Sequence, residues 1–539
     1  MSVARVLAGV LLPLLLAPAS ARAADPATTH DPGLILFVDD RSIARQAGFE
    51  RVFNRAVPAP APVVAPDAPA SEADCAWGNV IREPDGRFRM WYCTLMMGHA
   101  GKGPHEMAAA GVWGRGDDFT FHPRSPADVR PTETMLGRYA ESDDGIVWRK
   151  PALGLVEFRG SRENNVVLTG AGAAATSGGA LTNFDGWSVL RDDREPDPGR
   201  RYKAVAHWES VHCWDNHAVS GSLGRPQRII DRHWQARGEY LATSPDGLRW
   251  ESPLERLDTL PSGGGDRLVV VPDPARGGWM AYVRAGGWAH PSLSRSPDLV
   301  RWGAAEEARR ITPEALGFPA VECMIPFAYG PLELGFPCGM DKAAGRFAVR
   351  LAARGADGEW EVCDDGQPFI PAGPPGSYHA SGAVPLHNEP IVVGEEMLVY
   401  FNAFSREPDH PCPQGARSIG VARLRRDGFV GLAVGAGSGV ATLVTVPIPA
   451  DGARLRVNLE RRPGSDGAPA GRVEAALLDA AGAELDGYRF ADARPVDADG
   501  TRLALEWRGH DRLPAGGGEV QVALRVAAGG VVYALSREP

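Results

Sequence analysis

Acidic residues stand where predicted β-strands begin at four places in the chain, and their side chains could act together. These residues are Asp74, Asp185, Asp266 and Glu322. Two carboxyl groups that flank a common cavity can cleave a glycosidic bond, because one protonates the leaving oxygen while the other acts as base or nucleophile. This chemistry requires a fold that aims side chains from distant strands at one cavity.

A second group of reactive side chains is concentrated in "HWESVHCWDNH", which runs from His207 to His217. His207, His212, Cys213 and His217 carry donors that suit zinc, but their spacing matches no standard zinc finger. The alternatives are a plain surface loop and the wall of a sugar pocket, where aromatic rings stack on the apolar face of a sugar. We favour the pocket wall, and we expect neither a metal ion nor a cofactor.

A recurring phrase predicts how the strands are arranged. It occurs as "AESDDGIVW", "ATSPDGLRW", "SRSPDLVRW" and a weaker copy, "ARGADGEW", which end at Trp148, Trp250, Trp302 and Trp360. In S-x-D-G-x-x-W, the Ser and Asp side chains can close a turn, the Gly takes a positive φ and the Trp packs on the sheet. The last two spacings, 52 and 58 residues, approach the roughly 40 to 50 residues of a propeller blade. The turn acids Asp144, Asp246 and Asp298 are expected at the blade periphery, away from any chemistry.

Alternating aromatic strands support the same architecture. They are "GRFRMWY", "RRYKAVAHW", "GGWMAYVR", "LELGFP" and "EEMLVYFN". We therefore predict an all-β protein, with a five-bladed β-propeller at 31–432 followed by a β-sandwich at 433–539. The expected blades cover 74–148, 164–250, 266–302, 322–360 and 379–430. The strand Leu34 to Asp40 is expected to complete the last blade and close the ring, and the Pro/Ala-rich stretch 56–70 is expected to be a connector.

Composition and charge set limits on partners and location. The chain has 539 residues and a net charge of −10, which provides no basic surface for nucleic acid or for an anionic membrane. Residues 1–23 combine Arg5, an apolar run and an Ala-x-Ala site, the pattern of a cleavable signal peptide. A periplasmic or secreted protein is therefore expected, with no membrane association.

Export would allow disulfide bonds, and two predicted hairpins bring cysteines close together. The first turns at 84–86 and pairs Arg82 with Arg87, and the second turns near 330–331. These registers place Cys75 nearly opposite Cys93, and Cys323 opposite Cys338. Cross-strand neighbours are near enough to bridge, but buried free thiols remain the equal alternative.

Several segments resemble a known group of enzymes. In chain order they are "LFVDD", "FRMWY", "ESDDGIVWRKPALGLVEFRGSRENNVV", "DPGRRYKA", "ATSPDGLRW" and "IGVARLRRDGFVGL". This order is similar to that of bacterial proteins related to glycoside hydrolase families 32, 43 and 68, the invertase, levansucrase and arabinanase group. The group is built on a five-bladed propeller. The chain departs from it in lacking the invertase-type "NDPNG" start and in having "SYHASG" where a Trp-Asp pair is expected.

The resemblance implies a division of roles among the acids. Enzymes of this group place an Asp, an Asp and a Glu on three successive blades, which corresponds here to Asp185 as base or nucleophile, Asp266 as holder of the ring hydroxyls and Glu322 as acid. The implied activity is that of a glycoside hydrolase acting on a furanoside or another glycan. The expected substrate contacts are Asp74, Trp77, His207, Trp208, His212, Trp214, His217, Arg284 and His379.

Two other functions remain open at this point. A non-catalytic propeller could bind carbohydrate with the same loops, its carboxylates only accepting hydrogen bonds from hydroxyls. A sialidase-like enzyme would need an Arg cluster to bind a carboxylate, for which Arg267 and Arg284 are the nearby candidates.

Overall fold

The fold consists almost entirely of β-strands. The computed structural model describes residues 31–66, 75–95, 135–158, 160–169, 183–209, 235–251, 254–261, 268–285, 289–341, 343–405, 417–463 and 470–539, with only the backbone at 95, 135, 183, 185 and 209. Among these residues, helical structure is limited to a 3₁₀ turn at Pro198–Arg200, one α-helical turn at Pro313–Leu316 and residues 235–236. The predicted all-β class is confirmed. No helix in the described part is long and apolar enough to cross a membrane, and the predicted signal peptide at 1–23 lies outside the described residues.

Five antiparallel sheets of similar design follow one another along the chain, and we number them in that order. Sheet 1 contains Cys75–Arg82, Phe88–Leu95, Met135–Ser142 and Trp148–Arg149, with Val166–Leu168 beside the third strand. Sheet 2 contains Asn183–Arg191, Tyr202–Glu209, Gly238–Ser244 and Glu255–Arg256. Sheet 3 contains Val269–Asp273, Gly278–Val283, Ser292–Ser296 and Glu306–Glu307. Sheet 4 contains Ala320–Tyr329, Leu332–Asp341, Ala352–Arg354 and Trp360–Val362, with Arg346–Val349 beside the second strand. Sheet 5 contains Ala383–Pro385, Glu396–Phe404, Arg417–Arg425 and Val57–Pro58, with Ile391–Val393 beside the second strand.

The five sheets form a closed ring. The first strand of each sheet, which we call its inner strand, contacts the inner strand of the next, and sheet 5 returns to the inner strand of sheet 1. Asn79 in sheet 1 bonds Val189 in sheet 2 through both its amide oxygen and its amide nitrogen, at 2.8 and 2.5 Å. His387, which follows the inner strand of sheet 5, donates its backbone N–H to Gly78 in sheet 1. The ring is thus joined by hydrogen bonds as well as by packing.

The recurring phrase forms the predicted turn. In sheet 2, Oγ of Ser244 accepts the N–H of Gly247 at 2.9 Å, while Oδ1 of Asp246 accepts two further backbone N–H groups. The same bonds are made around Ser142 and Asp144 in sheet 1. Gly145 and Gly247 have φ of 77° and 73°, as predicted, whereas Leu299 takes the same conformation at 70° in sheet 3. Turn chemistry therefore recurs even where the third copy lacks glycine.

The aromatic strands are the second strands of their sheets, and they fill the core. Trp91, Tyr92, Trp208, Tyr282 and Phe336 lie on these strands, and none is more than 1% exposed. Burial of rings this large is the main apolar contribution to stability that a sheet can make.

A two-sheet sandwich follows the ring, and strands from the N-terminal part of the chain belong to it. One sheet contains Phe49–Phe53, Val430–Val434, Arg454–Arg461, Gly500–Ala504, Gly530–Glu538 and Ile35–Leu36. The other contains Ile43–Ala47, Val440–Thr445, Ile448–Pro449, Val473–Leu478 and Glu519–Ala527. A short pair, Ala493–Arg494 and Glu506–Trp507, lies beside them. Side chains of both sheets, among them Leu443, Leu455 and Leu477, share one core.

The predicted ring closure by Leu34 to Asp40 is wrong. Ile35 and Leu36 pair with Leu535 and Ala534 in the sandwich. The outer strand of sheet 5 is instead Val57–Pro58, within the stretch predicted as a connector. A proline suits this position, because an outermost strand can lack one N–H without breaking a ladder on both sides.

The cysteine hairpins differ in how well their registers were predicted. Cys323 lies directly opposite Cys338, as expected, and Cys323 is a buried free thiol. In the first hairpin, Arg82 pairs with Phe88, so the predicted register at the turn is wrong by one residue, but Cys75 pairs with Thr94 and so lies nearly opposite Cys93, as predicted. Of the two alternatives left open for the Cys323–Cys338 pair, a disulfide and buried thiols, the structure shows no disulfide.

Candidate active site at the start of the inner strands

The inner strands run in the same direction, so their first residues meet at one end of the ring. Each contact between neighbouring sheets connects residues that lie at the same end of the ring. At the end where inner strands finish, the contacts are Arg82 with Val392, Arg191 with Glu83, and Arg276 with Glu333. At the end where they begin, the contacts are Trp77 with Asn402 and Arg284 with Glu322. We call these the far end and the start end of the ring.

Three inner strands carry a β-bulge close to the start end. The ladder shifts between Ala76 and Asn79 in sheet 1, between Asp185 and Trp187 in sheet 2, and between Val321 and Cys323 in sheet 4. A bulge leaves a residue out of the ladder and re-aims side chains, and bulges are over-represented beside active sites. The bulges include or adjoin three residues predicted from the sequence to form the site, Trp77, Asp185 and Glu322.

Glu322 is enclosed at the joint between sheets 3 and 4. Glu322 as a whole is 5% exposed, and the three residues that follow it, Cys323, Met324 and Ile325, are at most 1% exposed. Its backbone carbonyl accepts hydrogen bonds from Arg284 Nη2 at 3.1 Å and from Tyr282 Oη at 3.4 Å. The residue that the sequence predicts as the proton donor is therefore buried where sheets 3 and 4 meet.

Asp185 begins a row of polar residues across sheet 2. Its backbone partner is His207, whose own partner on the third strand is Glu239. Nδ1 of His207 lies 2.7 Å from Oε1 of Glu239, and Arg237 Nε donates to Nε2 of His207 at 3.0 Å. Because Arg237 donates to Nε2, Nδ1 is the ring nitrogen whose hydrogen points to Glu239. His207 therefore has a fixed orientation at the start end.

Trp77 is held at the joint between sheets 5 and 1. Its φ of 45° is rare for a bulky residue, and its N–H donates to Oδ1 of the buried Asn402 at 2.9 Å. The Arg417 guanidinium lies over the Trp77 ring, 5.4 Å from its centroid. A strained aromatic residue with one cationic neighbour is consistent with the predicted sugar contact.

His379 is buried beside aromatic rings before sheet 5. Its ring is 4.5 Å from Tyr378 and 6.2 Å from Phe401, between centroids. Burial lowers the pKa of His379 below its usual 6.5, so the ring is neutral at pH 7. Nδ1 has no hydrogen-bond partner within the described ranges. A buried polar atom without a partner is a position that a ligand hydroxyl could satisfy.

The other predicted contacts fall into two groups. Trp208 is 1% exposed and packs on Phe184, with 5.1 Å between ring centroids. The predicted residues that lie outside the described part of the chain are Asp74, His212, Cys213, Trp214, His217, Asp266 and Arg267. The described part contains no cluster of three His, Cys, Asp or Glu residues that could hold a metal ion.

The sequence analysis missed the residues that support this end of the ring. Glu239 and Arg237 orient His207, and Asn402 and Arg417 hold Trp77. The signal at Glu239 was a lone acid at the start of the apolar strand Gly238–Ser244. The other three carry no local pattern, because their role depends on a neighbouring sheet.

Comparisons with known proteins give only distant similarities. No family model matches the chain, and no curated protein matches it. Among solved structures, it is similar to one titled "Glycoside hydrolase", with 13% identity, a TM-score of 0.41 and coverage of 68% of this chain and 92% of that one. It is also similar to a fructofuranosidase from Schwanniomyces occidentalis complexed with fructosylnystose, with 10% identity, a TM-score of 0.36 and coverage of 88% and 97%. A third is the catalytic domain of a GH62 α-L-arabinofuranosidase from Coprinopsis cinerea, with 10% identity, a TM-score of 0.40 and coverage of 69% and 97%.

Proposed function

We propose that the protein is an exported glycoside hydrolase whose reaction takes place at the start end of the ring. The observation that carries the proposal is the coincidence of three β-bulges with predicted site residues on inner strands of sheets 1, 2 and 4. Bulges there release Trp77 and Glu322 from their ladders, and the third bulge directly follows Asp185.

The proposed mechanism divides the work between carboxyl groups. Glu322, followed by the buried apolar residues Cys323, Met324 and Ile325, protonates the leaving oxygen. Asp185 either takes a proton from the water that attacks the sugar carbon or attacks that carbon itself, in which case water then releases the sugar from Asp185. Asp266 binds ring hydroxyls. Arg284, whose guanidinium holds the Glu322 carbonyl, keeps the strand carrying the acid in place.

The test separates the acid from the rest of the site by varying the leaving group. Purified protein is incubated with alkyl, nitrophenyl and dinitrophenyl glycosides of a sugar panel. Glu322→Gln should lower kcat/KM by about 10² to 10⁴ on alkyl glycosides, but by far less on dinitrophenyl glycosides, which leave without protonation. Asp185→Asn should lower both alike.

Glu361→Gln is the matched control. It removes a carboxylate from the exposed outer strand of sheet 4, where the partner is Arg310, and activity should be unchanged. If wild type turns over no glycoside but still binds one, the non-catalytic alternative replaces the hydrolase. If Glu322→Gln and wild type act equally on alkyl glycosides, Glu322 is not the acid.

A further inference from the structure

A polar cleft opens at the far end of the ring, between sheets 1 and 2. Its volume is about 460 Å³, within the range of small-ligand sites. It is formed by the 83–87 hairpin, the 141–149 turn and the start of Tyr202–Glu209. The inner strand Cys75–Arg82 separates it from the start end, and eight residues of strand span about 23 Å. The cleft is therefore separate from the proposed active site.

The floor of the cleft is a rigid and fully bonded cluster. The Arg89 guanidinium donates to Tyr139 Oη at 3.0 Å and to Glu83 Oε1 at 3.2 Å, and it lies over the rings of Trp91, Tyr139 and Tyr202. Glu83 also accepts from Tyr202 Oη at 2.7 Å. A floor with these bonds already made is preorganised, so little ordering is needed when a ligand binds.

The rim presents charges of both signs that are already paired. Asp85 bonds Arg87 through two nitrogens, at 2.7 and 2.9 Å, and Asp143 bonds Arg149 at 2.8 and 3.3 Å. These partners lower the pKa of Asp85 and of Asp143. Because these charges are already paired with each other, a charged ligand would gain little binding free energy from them. A hydroxyl group can instead donate to a carboxylate and accept from a guanidinium at once.

Glu141 supplies an acceptor that is still available. Its contacts among the described residues are the Tyr139 hydroxyl at 3.5 Å and Arg149 Nη2 at 3.9 Å, both too long for strong bonds. Its side chain is 38% exposed. A carboxylate with open lone pairs beside an aromatic floor can accept hydrogen bonds from a pair of sugar hydroxyls.

We propose that this cleft is a second carbohydrate-binding site, which takes a short neutral segment of a glycan while the start end acts on another part. The saccharide class of the ligand rests on the proposed function. The binding itself depends only on the groups of the cleft, above all Glu141.

Affinity electrophoresis of the full chain through gels that contain single neutral polysaccharides tests the proposal. Wild type should be retarded by at least one polysaccharide, and Glu141→Ala should weaken that binding about tenfold. Glu251→Ala is the matched control, because Glu251 is an exposed acid directly after the same turn in sheet 2, and it should migrate as wild type does. Turnover of a small aryl glycoside should be unchanged in both variants.

The outcomes distinguish the two proposals. Retardation that depends on Glu141 without turnover of any glycoside would refute the hydrolase and support the second site. Turnover that depends on Glu322, with equal migration of Glu141→Ala and Glu251→Ala, would refute the second site and support the hydrolase. Absence of retardation by every polysaccharide would also refute the second site.

Discussion

Removing the charge of one turn aspartate should lower stability in a pH-dependent way. In sheet 3, Oδ1 of Asp298 accepts the N–H groups of Val300 at 3.0 Å and Arg301 at 2.8 Å, and Oδ2 pairs with the Arg301 guanidinium. Burial raises the pKa of Asp298, but the bonds from Arg301 and Val300 outweigh it and lower that pKa to about 2. Asp298→Asn keeps an oxygen for the backbone bonds, removes the charge and replaces the second carboxylate oxygen with an amide NH2.

The size of the effect follows from linkage between ionisation and folding. A decrease of the pKa from 3.8 to about 2 is about 1.8 units, worth at most about 2.4 kcal/mol. Because the side chain is 36% exposed, solvent screening reduces this to about 1 kcal/mol. A lowered acid pKa stabilises the fold above the unfolded value of 3.8, and this contribution disappears as pH falls toward 2.

Urea unfolding of wild type and Asp298→Asn at a series of pH values measures the difference. The variant should be less stable by about 1 kcal/mol at pH 5 to 7, and the two curves should converge between about pH 4 and pH 2. Asp486→Asn, at a side chain that is 94% exposed, is the control. A stability difference that stays constant with pH would refute the assignment of the effect to the Asp298 charge.

Three further changes test other parts of the structure. Leu299→Gly relieves a positive φ but deletes a fully buried side chain. The free energy of unfolding in urea should therefore fall by about 2 to 4 kcal/mol. A gain in stability would show that backbone strain dominates over the loss of packing. Glu239→Ala removes the partner of the buried His207 and should cost about 1 to 3 kcal/mol in thermal unfolding, while the exposed Glu255→Ala should not; equal losses would contradict the role of the pair. Burial lowers the pKa of His379, so the stability that the neutral ring allows is present above pH 6.5 and is lost as pH falls through the lowered pKa. His379→Phe should flatten the plot of unfolding free energy against pH in this range. An unchanged slope would refute the role of His379 in it.

Local patterns predicted the turns and the strands that carry aromatic residues. In "ATSPDGLRW", Ser244, Asp246 and Gly247 make the expected bonds because each lies within three residues of its partner. The hairpin that places Cys323 opposite Cys338 was equally predictable from the sequence, because its turn sets the register of its two strands. These features depend on short-range geometry alone.

Partners that are distant in sequence could not be predicted in the same way. Ile35–Leu36 is apolar enough for either the ring or the sandwich, and its place was decided by pairing with Gly530–Glu538, a strand distant in sequence. In the first cysteine hairpin the turn sets Arg82 opposite Phe88, and a bulge at Trp77 and Gly78 then restores the predicted pairing at Cys75. A side chain on Gly78 would collide with the backbone of Trp91. Such bulges reflect packing between strands, which a single strand's sequence does not encode.

The sequence by itself determined the all-β class, the repeated Asp turns and the position of Asp185 and Glu322 near the starts of two inner strands, because these follow from residue type and spacing. Tertiary structure alone decided that the inner strands share one direction, that bulges occur at Trp77 and Glu322 and directly after Asp185, and that a cleft with Glu141 opens at the other end. The physical reason is that ring closure joins sheets through contacts between residues up to hundreds of positions apart, and their geometry exists only when every sheet is in place.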